Sequence, residues 1–362
     1  MICFLALLTT CTAVDPAEDG PYPVGAMTIA VTRTDQTDRK FLTEIWHPAI
    51  PQATSEPAHY GTGMPTRAFW QARVADGRFP LIIFSHGMGG MREQSTFLTE
   101  HLASHGYIVA APDHPNNTIH DLSFLENVQS ALDRPMDIRA VLDHVVNQAG
   151  DPHDPLYRHV RCDRVAVMGH SLGGYTALAV GGALVDAKAH PGKANDPDWP
   201  DYFDFSDRRV RAVVALAPYT RPAIDDFGLS RLRVPILVLG GSADAAAPFQ
   251  RHLWPVFTHA AGPRYLMRID GAAHLSFANK EFAGIVPPVV RFTDRMTLER
   301  ARSNALIRAV TLAFLERHLR GQDRFEYLLS QSQKDLEVSF RGIGDAPGQI
   351  CGHARMPNRR RR

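Results

Sequence analysis

The sequence predicts an α/β fold: a mostly parallel central sheet with helices on both faces and an antiparallel N-terminal hairpin. From Phe79 onward, short apolar runs (Leu81–Phe84, Tyr107–Ala111, Val165–Met168, Val210–Leu216 with Arg211 its single charge, Ile236–Leu239) alternate with helix-compatible stretches. Strands buried on both faces and joined by crossover helices have this pattern. Upstream, residues 27–34 and 40–47 alternate apolar with polar side chains, Ile29 and Val31 against Phe41 and Ile45, the period of half-exposed antiparallel strands. The 362 residues, 44% hydrophobic and 21% charged, supply a large core and rule out disordered, collagen-like and coiled-coil chains.

Residues 1–13 carry an apolar run from Ile2 to Ala13, shorter than the ~20 residues a bilayer span needs. Its length fits the apolar part of an export signal, without the usual preceding basic residues, and Leu8-Thr9-Thr10-Cys11 resembles a bacterial lipoprotein cleavage site. The expectation is an exported protein (periplasmic, secreted or lipid-anchored), with a cytoplasmic one as the alternative. Residues 48–78, rich in Pro, Gly and Ala, read as a long surface loop. A helix is expected over about Thr96–Ser104, stopped by Gly106. A second starts at Pro135 after Asp133 and sets Ile138, Val141, Leu142 and Val145 on one face. Leu306, Val310, Ala313 and Phe314 mark a third, longer helix. Stretches 186–208 and 279–298 interrupt the alternation, as insertions at the ligand-binding strand ends or as plain surface loops. One domain is expected over 22–320, followed by a C-terminal extension and polar tail over 321–362.

Lys and Arg number 39 against 38 Asp and Glu, so the chain offers no overall basic field for nucleic acid. The Arg359–Arg362 run reads as a solvated end, with a membrane or nucleic-acid patch as the alternative. Of four cysteines, Cys3 and Cys11 lie in the export segment, leaving Cys162 and Cys351 as one disulfide or two unrelated thiols.

Chemistry concentrates at Gly169-His170-Ser171-Leu172-Gly173, between the run Val165–Met168 and the helix-compatible Tyr175–Val180. G-x-S-x-G in a strand–turn–helix context is a nucleophile elbow. Glycine is needed two residues either side of Ser171 because larger side chains collide in so tight a turn. A serine needs a base, and the base an orienting carboxylate. His274, in Gly271-Ala272-Ala273-His274 after the strand-like Tyr265–Ile269, is the base. Asp244, in Gly240-Gly241-Ser242-Ala243-Asp244, is the acid, with Asp113 and Asp270 as alternatives. The backbone N–H groups of Leu172 and of Met88, in Ser85-His86-Gly87-Met88-Gly89-Gly90, are assigned to the oxyanion hole. His86 is expected to brace that loop rather than act as a base.

These pieces resemble the α/β-hydrolase superfamily over about residues 22–320. Phe84-Ser85-His86-Gly87, Leu102-Ala103-Ser104-His105-Gly106-Tyr107, Ala110-Ala111-Pro112-Asp113-His114, Arg134-Pro135-Met136-Asp137-Ile138 and His274-Leu275-Ser276-Phe277 are similar to bacterial dienelactone-hydrolase-like and platelet-activating-factor-acetylhydrolase-like esterases. True dienelactone hydrolases carry a cysteine where this chain has Ser171. The acetylhydrolases carry their acid one strand earlier, where Ala215-Leu216-Ala217-Pro218 offers no carboxylate, so the acid falls to Asp244.

The resulting expectation is a serine esterase of α/β-hydrolase fold acting on small-molecule or lipid carboxylic esters through an acyl-enzyme, with no cofactor and no metal. A phospholipase A2 or platelet-activating-factor-acetylhydrolase-type lipid esterase, an amidase and a non-catalytic member of the fold are the alternatives. Trp199, Tyr202, Phe203, Tyr219 and Phe277 are pocket or core candidates. His101 and His105, four apart on a helix, lack the adjoining glutamate of a zinc motif and read as exposed helix residues.

Overall fold

The computed structural model describes residues 15–33, 35, 39–123, 127–189, 198–286 and 296–342. The proposed export segment, the Arg359–Arg362 run, Cys351 and parts of both expected insertions lie outside the described residues.

The predicted hairpin forms from β1 (Val24–Arg33) and β2 (Arg39–Ile50). Two short strands follow, β3 (Phe69–Trp70) and β4 (Arg73–Val74). The apolar runs become β5 (Phe79–Ser85), β6 (Ile108–Pro112), β7 (Val160–His170), β10 (Val210–Leu216), β11 (Ile236–Gly241) and β12 (Arg264–Ile269). Between them, β8 (Val185–Asp186) and β9 (Tyr202–Phe203) make a separate antiparallel pair. The last strand is β13 (Leu336–Arg341). The main sheet runs β13-β12-β11-β10-β7-β5-β6-β2-β1-β3, with β4 on β2. From β6 to β12 all pairings are parallel, and the N-terminal hairpin and β13 flank them antiparallel.

Alternate residues feed two cores, because successive side chains leave a strand on opposite faces. Ile82 and Phe84 join one with α1 (Thr96–Ser104) and the helix Arg300–Leu315. Leu81 and Ile83 join the other with α2 (Asn127–Gln148) and α3 (Leu172–Gly181). These strand residues are wholly buried, each contributing about 1.5–3 kcal/mol of transfer free energy.

Four expectations change. First, α2 begins at Asn127, not at Pro135, which sits inside it. Proline has no N–H to give the carbonyl four residues back, and that carbonyl, Ala131 O, instead accepts the Tyr175 hydroxyl at 2.8 Å. Second, the fold continues past residue 320, because β13 completes a six-residue ladder on β12. Third, residues 48–78 are not merely superficial: Ala58, Tyr60, Met64 and Ala68 pack into the first core.

Fourth, His101 and His105 are buried, not exposed. The segment leading into β1 covers them, with His105 Nε2 2.9 Å from Glu18 O and the Gly20 and Tyr22 amides on Ser104. Burial pushes the His101 imidazole down to about 4, against a smaller upward pull from Asp19. A depressed histidine favours the unfolded state as protons bind, so its stabilising contribution is whole above pH 6.5 and is lost as pH falls toward 4. At pH 5 that loss is about 2 kcal/mol. Urea melts of His101→Phe at pH 7.5 and pH 5 should show a smaller loss of stability on acidification than wild type, by up to this amount.

Candidate active site

At the end of β7 the chain turns into α3 within one residue, Ser171, whose φ of 56° and ψ of −117° lie outside the ordinary regions for a side-chain-bearing residue. Neighbouring backbone enforces that conformation. A Cβ at Gly169 would stand 2.2 Å from Gly173 O, and one at Gly173 would stand 1.9 Å from Ser85 O. The Ser171 amide donates to Leu216 O at 2.9 Å, and its carbonyl accepts from Gly174, Tyr175 and Tyr219. The hydroxyl is thus fixed at the N-terminus of α3, an end that favours negative charge.

His274 opens a short 3-10 turn (His274–Phe277) just after β12. Its Nε2 is 2.8 Å from Ser171 Oγ, and its Nδ1 is 2.8 Å from Asp244 Oδ2. Asp244 follows β11, and its second oxygen accepts the Ala247 amide at 2.8 Å. The loops carrying Asp244 and His274 are in backbone contact: Ala243 N–H donates to Ala272 O at 2.9 Å, and a Cβ at Gly241 would lie 2.1 Å from that oxygen. The alternative carboxylates are engaged elsewhere, Asp113 with Arg92 and Asp270 beside Arg268.

The loop after β5 faces the elbow. Among the described residues, neither the Met88 nor the Leu172 N–H donates to a protein acceptor. His86 braces this loop from within, its Nδ1–H donating to Gly87 O at 2.6 Å and its Nε2 accepting the His114 amide at 3.1 Å. Beneath it lies a second Ser–His–Asp chain that the sequence reading did not anticipate. Ser85 Oγ is 2.9 Å from His114 Nε2, and His114 Nδ1 is 3.0 Å from Asp137 Oδ2. Arg134 donates to Ser85 Oγ at 3.2 Å and to His86 O, while Arg33 and Arg39 hold Asp137. Ser85, His114, Arg134 and Asp137 are wholly buried, so this chain clamps the root of the loop and meets no substrate. Burial, aided by Arg134, keeps His114 neutral.

A third polar connection runs through Gln94 and His170, both buried. Gly87 N–H donates to Gln94 Oε1 at 3.0 Å, Gln94 Nε2 is 2.9 Å from His170 Nδ1, and His170 Nε2 is 3.0 Å from His274 O. His170 stood in the motif as an unassigned position, and nothing in the sequence around Gln94 marked it.

The aromatic candidates separate. Tyr219 adjoins the triad through its amide on Ser171 O, and its ring, 42% exposed, stacks on His252 at 4.4 Å. Phe277 is wholly buried and stacks on His170, so it belongs to the core beneath the site rather than to a pocket wall. Trp199 meets Phe203 edge-on, and Tyr202 bonds to Asp225 and packs on Phe227. Among the described residues, no bond or ring contact of these three reaches Ser171 or His274. Cys162 is a free, half-buried thiol. No group of three His, Cys, Asp or Glu among the described residues is placed to hold a metal ion, and no described helix is long and apolar enough to cross a membrane.

Comparison with known proteins agrees with this architecture. The family described as "PETase: PET hydrolase-like" matches residues 15–343. Cutinase 1 of Thermobifida cellulosilytica is 24% identical over 256 residues, covering 70% of this chain and 74% of that protein. The platelet-activating factor acetylhydrolase of Cavia porcellus is 22% identical over 90% of this chain and 83% of its own length. A solved ferulic acid esterase from Streptomyces cinnamoneus has the same fold, with a TM-score of 0.67 and 24% identity over 91% of this chain and 99% of that one.

The elbow's tolerance is directly testable. Gly173→Ala should cost more than about 4 kcal/mol or prevent folding, since backbone cannot yield as a side chain would. Gly61→Ala, with open space around its Cβ, should stay within about 0.5 kcal/mol of wild type in the same thermal and urea melts.

Proposed function

As a member of the PET hydrolase-like family, this chain is a carboxylic ester hydrolase, and we propose that it works through an acyl-enzyme formed on Ser171. The observation that carries this reading is the pair of 2.8 Å contacts from Ser171 Oγ through His274 to Asp244, set at a strained elbow. Ser171 Oγ attacks the ester carbonyl while His274 Nε2 takes the hydroxyl proton. Asp244, bonded to Nδ1–H, fixes the imidazole tautomer and stabilises the imidazolium. The Met88 and Leu172 N–H groups receive the negative charge that develops on the carbonyl oxygen; one such donor is worth about 10²–10³ in rate. Collapse of the tetrahedral intermediate expels the alcohol, which takes the proton from His274, and water then repeats the sequence to release the acid.

Tyr219 is the aromatic best placed to contact the bound ester, because its ring is exposed and its backbone touches the nucleophile's. Trp199, Tyr202 and Phe203 are then a supporting cluster rather than a pocket wall. A lipid esterase of platelet-activating-factor-acetylhydrolase type is the second reading, favoured by an alignment over 90% of the chain. The apolar segment 2–13 supports an exported enzyme.

Ser171→Ala should abolish both p-nitrophenyl ester hydrolysis and covalent labelling by a fluorophosphonate; either persisting in purified protein refutes the acyl-enzyme. Asp244→Asn should lower kcat by roughly 10³–10⁴. On an ester panel, Tyr219→Ala should change the preference between aromatic and aliphatic acyl groups, whereas Trp199→Ala should leave it unaltered. A turnover of sn-2 acetyl phospholipid above that of matched short-chain p-nitrophenyl esters would select the second reading.

A further inference from the structure

We infer that Gln94 is a positioning residue that ties the oxyanion loop to the catalytic base through the ring of His170, an inference that rests on the acyl-enzyme reading above. The atoms leave one assignment. The Gly87 N–H can only donate, so the Gln94 oxygen faces it and the amide nitrogen faces His170. That nitrogen can only donate, so His170 Nδ1 must accept and the ring proton sits on Nε2. There it is given to the carbonyl of His274. Each polar side-chain atom of the pair thereby has one role and one partner, in a place closed to water. Gln94 is wholly buried and His170 2% exposed.

The ends of this relay lie on the oxyanion loop and on the base. Gly87 immediately precedes Met88, whose N–H is assigned to the oxyanion. His274 O belongs to the residue that carries the proton. A third strut comes from the Gln94 main chain, whose carbonyl accepts the Asn279 amide at 2.9 Å and so reaches the segment beyond the base. A catalytic geometry survives only when its loops are held to a fraction of an ångström. The relay packs closely against Gly87: a Cβ there would lie 3.2 Å from His170 Nδ1 and 3.4 Å from Gln94 Oε1.

His170 also lies where a second positive charge would oppose the imidazolium of His274, their ring centres being 4.7 Å apart. Burial, followed by the field of His274, holds His170 well below the ordinary histidine range, with Arg134 and His86 adding to the repulsion. The Gln94 amide enforces the same state chemically, by offering a donor where a protonated ring would present another. The relay therefore remains neutral while His274 gains and loses its proton.

The test compares wild type, Gln94→Leu, His170→Phe and the double variant by steady-state p-nitrophenyl ester hydrolysis. Gln94→Leu is expected to lower kcat at least tenfold with KM within about twofold. The double variant should be no slower than the worse single one, because both break one relay. Gln94→Glu keeps the acceptor for Gly87 and places a carboxylate beside His170 Nδ1. It should therefore retain more kcat than Gln94→Leu and add a second ionisation to the kcat–pH profile. An unchanged kcat in Gln94→Leu, or losses that multiply in the double variant, overturns the relay. Should Gln94→Leu fail to fold, Gln94→Glu decides: a single-ionisation profile identical to wild type overturns it. Retention of activity in Ser171→Ala would instead remove the acyl-enzyme reading, so the two failures are distinguishable.

Discussion

The site depends on backbone approaching backbone where the strand ends converge. Gly173 lies against the Ser85 carbonyl, Gly169 against Gly173, and Gly241 against the Ala272 carbonyl, each too close to admit a Cβ. A side chain at any of them would push apart the loops that carry Ser171, Met88, Asp244 and His274. The parallel arrangement of β5, β7, β10, β11 and β12 makes this convergence possible, because it brings all their C-terminal ends to one edge. The strain stored at Ser171, on the order of 1–3 kcal/mol for such a backbone, is held by the same contacts.

Much of this was legible in the sequence because it rests on local rules. Short apolar runs announce doubly buried strands, and β10 occupies the expected residues Val210–Leu216, with only Arg211 near its start exposed. The elbow is a contiguous motif, so its strand, turn and helix are written side by side. Asp244 could be chosen because it lies between Ser171 and His274 in the chain and just past the apolar run Ile236–Leu239, and the structure sets its oxygen 2.8 Å from His274. What escaped was whatever depends on partners distant in the chain. Gln94 sits 76 residues from His170, and no local pattern distinguishes it from a surface glutamine. His101 and His105 read as exposed because they are polar and lack a metal-site partner in the sequence, but the segment preceding β1 covers them, and an isolated helix carries no record of that cover. Trp199 and Tyr202 bond to Ala187 O and to Asp225, partners that no local pattern marked.

Burial of polar groups is the second organising theme. Around the oxyanion loop, Ser85, His86, Gln94, His114, Arg134, Asp137 and His170 are all withdrawn from water. Such a cluster stabilises one arrangement only if its donors and acceptors match, since each unpaired buried group costs about 1–3 kcal/mol. Here the matches fix side-chain orientations that sterics alone would leave open: the amide of Gln94, the tautomers of His86, His114 and His170, and the hydroxyl direction of Ser85. The active-site loops are thus positioned by hydrogen-bond polarity as well as by packing.

The proline within α2 has a consequence beyond its own helix. Because Pro135 leaves the Ala131 carbonyl unclaimed and the Tyr175 hydroxyl of α3 donates to it instead, one side-chain hydrogen bond joins the two helices. Any residue with an N–H at position 135 would compete with the tyrosine for that carbonyl, and a phenylalanine at 175 would strand it. Part of the hold between α2 and α3 therefore passes through this pair, and the helix behind Ser171 is seated on a gap that the proline leaves in its neighbour.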